Sequence, residues 1–362
     1  MPSGLTPRST VFALGAVLDG RSPGDACVPS ELVDRAIRHR VSALLARTEY
    51  ARQLPSADRA RLDEHVRLST LHATLLDEDL RELLPRLAAR GVAPLVVKGA
   101  QLAHTVYAAP YQRPRADTDL LIDARDREAI AGALGSLGYK RSTTTSGSVI
   151  FGEFQWERAL RGGVVHYVDV HWRVAAPLMF ERAFDVGEIA AASCPIPALG
   201  PGAIGPATHD ALALASVHLV AHHWEQLLLL WLHDVRLLAD ALDVQGRQRV
   251  IDSAIKGEYT VAVYCALRTT RLYFRSAALD RLIDELEVRL NSREPVAALL
   301  RYDRRAVDDL IFDLRVADWR QRARLLREHV LPPPEYMRAA FAGRPLALAY
   351  AERLLRGVWK WF

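Results

Sequence analysis

Cysteine is scarce in this chain: three in 362 residues, at Cys27, Cys194 and Cys265. They lie far apart, and an odd count argues against a disulfide framework. No metal-ligand spacing appears among them, so they read as reduced, buried thiols of a cytoplasmic protein. Long hydrophobic runs are missing too. The longest apolar stretch, Leu227–Leu232, is far too short to span a bilayer. The first residues lack a basic segment followed by an apolar one, so no signal peptide is expected. There is no polybasic block, no internal repeat and no low-complexity segment. The formal net charge is only +4 although the pI is about 9.0. Most of the basic residues are Arg and alternate with acids, so nucleic-acid binding is permitted but not indicated.

What is present is an ordinary globular composition, 50% hydrophobic and 25% charged. That length and composition can bury a sizeable core and suggest two domains or one with a large appendage. Residues 1–28 are rich in Gly and Pro around one apolar run, Val11–Leu18. From Pro29 the pattern is helical: Ser30 is a candidate N-cap, and Leu32, Val33, Ile37, Val41, Leu44 and Leu45 recur at helical spacing. A second helix is expected to start at Ser56 and to run, with breaks, to Arg90, with Gly91 just past its end.

The character changes at Gly91. Pro94–Val97 reads as a short buried strand, followed by Lys98-Gly99-Ala100 and a helix through about Tyr107. Asp117–Ile122 reads as a strand, Asp126–Leu137 as a helix, and Val149–Leu160 and Val164–Arg173 as a hairpin turning at Gly162-Gly163. Pro195–Pro206 reads as a loop. Beyond Thr208, a possible cap, the pattern predicts helices at 208–222, 225–243, 247–255, 258–275, 279–290, 295–301, 304–312, 317–329 and 345–360. The expected division is a helical segment 1–90, an α/β core 91–200 and a helical domain 201–362.

Three features of the core can carry chemistry. In Arg113-Pro-Arg-Ala-Asp117-Thr-Asp119-Leu-Leu-Ile122, strand alternation puts Asp117 and Asp119 on one face. Paired carboxylates on a rigid strand suit a hard cation such as Mg²⁺; a solvated strand end is the plain alternative. In Val96-Val-Lys98-Gly99-Ala100 a strand runs into a helix through a glycine. That glycine lets backbone approach a ligand, the new helix faces an anion with its N–H groups, and Lys98 adds a point charge; simple turn geometry is the alternative. In His166-Tyr-Val-Asp169-Val-His171-Trp172, alternation puts Tyr167, Asp169 and His171 together. An aspartate flanked by valines is costly in a central strand unless its charge is compensated, whereas a wet edge strand would tolerate it.

Taken together, these motifs resemble the uncharacterised nucleotidyltransferase family of bacteria, within the DNA polymerase beta-like nucleotidyltransferase superfamily. The resemblance covers roughly residues 90–240 and includes a helix like Leu229-Trp231-His233-Asp234-Val235. It implies an α/β (α+β) nucleotidyltransferase core with a mixed sheet, set in a mainly helical protein. It places Asp117, Asp119 and Asp169 at the three carboxylate positions, as ligands of Mg²⁺ (or Mn²⁺) and catalytic groups. Asp169 would also take a proton from the acceptor. Lys98, Gly99, Ala100 and Arg113 would bind the nucleotide. The superfamily usually has Gly-Ser where this chain has Gly99-Ala100, so the hydroxyl that commonly touches triphosphate is absent. The implied reaction moves an NMP from an NTP to an acceptor: a small molecule, a peptide, a protein or an RNA end. Alternatives are a toxin-like enzyme acting on tRNA or protein, and a non-catalytic scaffold of the same fold.

Several further residues are weighed beside these. His171 is expected to position Asp169 or the acceptor rather than to bind metal, with His166 beside it. Asp234 is expected either to face the site or to form a buried salt bridge. His218 and His222 share a helix face, but without a metalloprotease Glu no zinc site is expected. The segment Leu346–Phe362 could lie on a membrane surface, and is expected instead to pack on its own domain.

Overall fold

The protein is seen in a computed structural model that describes residues 10–24, 27–142, 152–175, 178–224, 226–300 and 306–361. Its centre is a mixed seven-stranded sheet: β1 (Leu95–Val97), β2 (Asp117–Leu121), β3 (Lys140–Arg141), β4 (Glu153–Ala159), β5 (Val165–His171), β6 (Cys194–Pro195) and β7 (Ile204–Gly205), in the order β3-β4-β5-β2-β1-β7-β6. β2 pairs antiparallel with β1 and parallel with β5, and β5 pairs antiparallel with β4. The β4–β5 hairpin turns through Gly162 and Gly163, both with positive φ, where a side chain would be strained. The part of the expected strand at 149–151 lies outside the described residues.

Period-two alternation divides the sheet into two faces. On one face Val96, Leu120, Val168 and Val170 pack under the long helix Ser56–Ala88, through Leu80, Leu83, Leu84 and Leu87, and under the helix Arg127–Ser136, through Ile130 and Leu134. Burying each such leucine stabilises by about 1.5–3 kcal/mol. The other face is apolar at Leu95, Val97 and Leu121, which meet Leu214 and Ile189, and acidic in between. β5 is flanked on both sides, so the wet edge-strand alternative for Asp169 is ruled out.

A second core is wholly helical. Leu14, Leu32, Val33 and Leu45 from the start of the chain pack with Leu212, Leu230, Val263 and Leu282 from its second half. The N-terminal helices and those between Thr208 and Glu287 therefore bury their apolar faces against each other.

Three local expectations are corrected. The run from Pro29 is not one helix: it is Pro29–Arg38, a break with Arg40 at φ 58, then the short helix Ser42–Leu45. Its N-cap is Val28 rather than Ser30. The loop Pro195–Pro206 contributes β6 and β7, and β7 adds to the sheet beside β1. The expectation for the last helix holds: Leu346–Trp361 packs on the helix Pro334–Ala340, burying Ala349 and leaving Leu348 and Leu355 exposed.

Candidate active site

Sheet register gathers the acidic groups. Asp119 on β2 lies directly beside Asp169 on β5, and Asp117 lies beside Tyr167. On the far side of β5, Glu153 pairs with His171 and Gln155 with Asp169. Asp117, Asp119, Asp169, Glu153 and His171 therefore share one face. They line a cavity of about 650 Å³ whose opposite wall comes from the helices Thr208–His222 and Leu229–Asp240.

Asp119 is the most heavily engaged of these. Its Oδ1 accepts from Lys98 Nζ at 2.6 Å and from His171 Nε2 at 2.8 Å. His171 Nδ1 lies 3.0 Å from Glu153 Oε2, so both ring nitrogens face carboxylates. Burial and Lys98 press the His171 pKa down, but the bonds to Asp119 and Glu153 prevail and raise it to about 9. The ring is thus an imidazolium at neutral pH. Burial pushes Asp119 up, yet Lys98 and His171 hold it well below the usual carboxylate range.

Asp117 and Asp169 lack such support. Burial and then the Asp119 charge raise the pKa of Asp117. Burial, Asp119 and Asp117 push Asp169 up to about 7, against His171 and a hydrogen bond from Gln155. Asp169 Oδ1 is buried and has no hydrogen-bond partner among the described residues. Such an orphaned oxygen is expensive in a protein interior.

Lys98 opens the helix Lys98–Thr105 with a left-handed φ of 53, a strained conformation for a side chain and one that clusters at functional sites. Gly99 is not the residue that makes the turn. A methyl there would meet Arg113 and Arg115 at ordinary distances of 3.5 Å. Gly99 lines the cavity, whereas the Ala100 methyl is buried in the core with Val96 and Leu120, which leaves only its backbone for a ligand. A serine hydroxyl at that position would point into the same apolar core.

Arg113 and Asp234 both line the cavity and pair with each other. Arg113 Nε donates to Asp234 Oδ1 at 2.8 Å, and Tyr107 donates to the same oxygen at 2.7 Å. Burial lowers the Arg113 pKa, but Asp234 more than offsets it, so the guanidinium stays charged. Asp234 therefore takes the salt-bridge role. Arg115, next along, donates to Asp77 at 2.6 Å.

The opposite wall was legible only in part. His218 and His222 share a face as expected, and His223 joins them: its Nε2 lies 3.1 Å from His218 Nε2, and its ring stacks on Trp231 at 3.8 Å between centroids. Burial and the Lys98 charge lower His222 to about 3 and His223 to about 4, so this wall is neutral at pH 7. His166 lies on the covered face, bonded to Asp79 and Thr118, and does not reach the cavity. Glu153 and Arg40 are cavity residues that the motifs did not single out. Alternation along β4 could have placed Glu153 once the hairpin register was known.

The donor set suits a hard divalent cation. Asp117, Asp119 and Asp169 would hold it, and the unpartnered Asp169 oxygen is what such an ion would satisfy. Among the described residues, no three or more His, Cys, Asp or Glu side chains already stand in a ligating arrangement. Lys98 occupies the Asp119 oxygen and would have to release it.

Residues 27–275 match the family described as uncharacterised nucleotidyltransferase. No match was found among curated proteins.

Proposed function

Because the chain belongs to the uncharacterised nucleotidyltransferase family, we propose that its cavity transfers a nucleoside monophosphate from an NTP to an acceptor hydroxyl, with Asp117, Asp119 and Asp169 as the working carboxylates. One observation carries this reading. Three aspartates on adjacent strands face one cavity, and one of them has a buried oxygen without a partner. A bound Mg²⁺ or Mn²⁺ would neutralise phosphate charge and orient the reacting oxygens.

The residues themselves divide the remaining work. Asp169 faces the cavity with an unpartnered oxygen and would take the acceptor's proton there. The acceptor oxygen then bonds to the α-phosphorus, the bond to the pyrophosphate oxygen breaks, and pyrophosphate leaves. His171 holds Asp119 ionised and in place. Lys98 is within reach of the same face, and once released from Asp119 its ammonium can follow the leaving phosphates. The uncapped start of the Lys98–Thr105 helix offers backbone N–H groups to the same anion.

The test is thermal melting with each of the four NTPs, with and without Mg²⁺, for the wild type and for Asp117→Ala/Asp119→Ala. An Mg²⁺-dependent rise in melting temperature that the double variant loses supports the reading, since ligand bound to the native state stabilises it by mass action. No rise with any NTP at millimolar concentration would favour a scaffold of the same fold.

A further inference from the structure

The chain's basic residues at the cavity are mostly committed already. Lys98 is paired with Asp119, Arg113 with Asp234 and Arg115 with Asp77. Arg173 lies among Glu181, Asp313, Glu328 and Glu153. A triphosphate brings several negative charges into a space that already holds three aspartates and Glu153. It needs a cation that is not already engaged.

Arg40 meets that need. It lines the cavity, is exposed, and among the described residues its guanidinium makes no hydrogen bond or ion pair. It shares the cavity lining with Asp117 on the acidic face and with His223 on the histidine wall. Its backbone is in the left-handed region, φ 58, where the helical periodicity of residues 29–45 breaks. A non-glycine residue held there costs energy and marks a place where local preference yields to something else. The apolar spacing on either side of Arg40 would let one helix continue, yet the chain turns at the residue that reaches the cavity.

We infer that Arg40 is a phosphate-binding residue, contributed by the N-terminal helical segment, which takes the phosphate-chain oxygens of the nucleotide. This rests on the nucleotidyl-transfer reading and adds to it a contact from outside the sheet. An arginine suits the role because its planar fork donates two parallel hydrogen bonds to phosphate oxygens and stays charged at any working pH.

The experiment is calorimetric titration of the wild type, Arg40→Gly and Arg40→Lys with inorganic pyrophosphate and with each of the four NTPs in Mg²⁺, alongside the corresponding nucleosides. Glycine adopts a positive φ without strain, so Arg40→Gly is expected to melt no lower than the wild type. It should nevertheless bind pyrophosphate and the preferred NTP about 10-fold or more weakly, the loss of a charge-assisted hydrogen bond. Nucleoside binding should be unchanged. Arg40→Lys keeps the charge but not the fork and should fall between the two. Pyrophosphate and NTP affinities within about twofold of wild type in both variants would overturn the role of Arg40 alone. A wild type that binds neither pyrophosphate nor any NTP would overturn the transfer reading and this contact with it.

Discussion

On each face of β2 an aspartate meets a histidine. On the cavity face His171 donates to Asp119, and Lys98 donates to the same oxygen. On the covered face Asp79, from the long helix, accepts from His166 Nδ1 at 2.5 Å, while His166 Nε2 accepts from the Thr118 hydroxyl at 2.8 Å. Tyr139 and Arg158 also reach Asp79. The side-chain types are alike and the consequences differ. Under the long helix the groups are enclosed and hold the strand between Asp117 and Asp119 from behind. In the cavity two cations compete for one Asp119 oxygen, and Asp169 keeps an oxygen with nothing to bind. Access and unmet bonding, more than residue type, separate a site from a structural brace.

The largest effect expected from breaking this contrast is on activity. Asp169→Asn should reduce nucleotidyl transfer by about 10²–10⁴-fold, the usual worth of a positioned general base. Its stability to urea should be unchanged or slightly higher, because a buried carboxylate beside two others has been removed. Single-turnover rates and urea midpoints measured on one preparation check both halves. A variant with wild-type rates would remove Asp169 from the chemistry.

The covered face should answer in the opposite way. Asp79→Ala strips His166 and Arg158 of their shared carboxylate inside the protein, and breaking such a buried pair costs about 3–5 kcal/mol. Whatever fraction stays folded should turn over within a few-fold of wild type, since Asp79 touches nothing in the cavity. Intact stability with lost activity would mean that the covered cluster takes part in the reaction.

A third contrast is in pH. His171 has a folded pKa of about 9, above its ordinary 6.5. The protonated ring therefore contributes stability that is fully present below about pH 6.5 and is lost as pH rises through 9. The slope cannot exceed about 1.4 kcal/mol per pH unit for one proton. His222 and His223 are lowered, to about 3 and about 4, so their effect on stability ends near pH 6.5 and does not overlap. In metal-free protein, urea midpoints at pH 8, 9 and 10, above the titration of Asp169 at about 7, should decline for the wild type and decline less for His171→Gln. Equal slopes would show that His171 is not charged between its two carboxylates.

Much of the α/β core was legible because its signals are local. The strand of Asp117–Leu121 runs into the apolar Leu120-Leu121-Ile122, glycines punctuate the hairpin, and parity alone put Asp169 and His171 on one face. The helices after Thr208 followed from their apolar spacing. What escaped depends on distant partners. Asp77 and Asp79 sit on a helix rich in charge, where acids look like a solvated face, and only the sheet beneath reveals them as buried. β7 is two residues long and exists because β1 offers it an edge. Arg40 breaks a helix whose periodicity runs straight across it. Arg113, singled out as a phosphate contact, proved to be spoken for by Asp234, a residue 121 positions away.

The smallest effect separates what the strand-to-helix turn needs from what its sequence suggests. A glycine between strand and helix invites the view that the backbone demands it there. Yet the left-handed residue is Lys98, and a methyl on Gly99 would meet Arg113 Nη1 and Arg115 Cβ at 3.5 Å, ordinary contact distances. Gly99→Ala should therefore shift stability by no more than about 0.5–1 kcal/mol, with the helical preference of alanine favouring a gain. If the turn imposes no demand on Gly99, any loss of NTP binding in this variant must come from crowding the phosphate chain against the helix start. Thermal melting beside NTP titration distinguishes the two. A clear drop in melting temperature without ligand would show that the glycine serves the fold. Unchanged melting with weakened NTP binding would show that it makes room for a ligand beside Lys98.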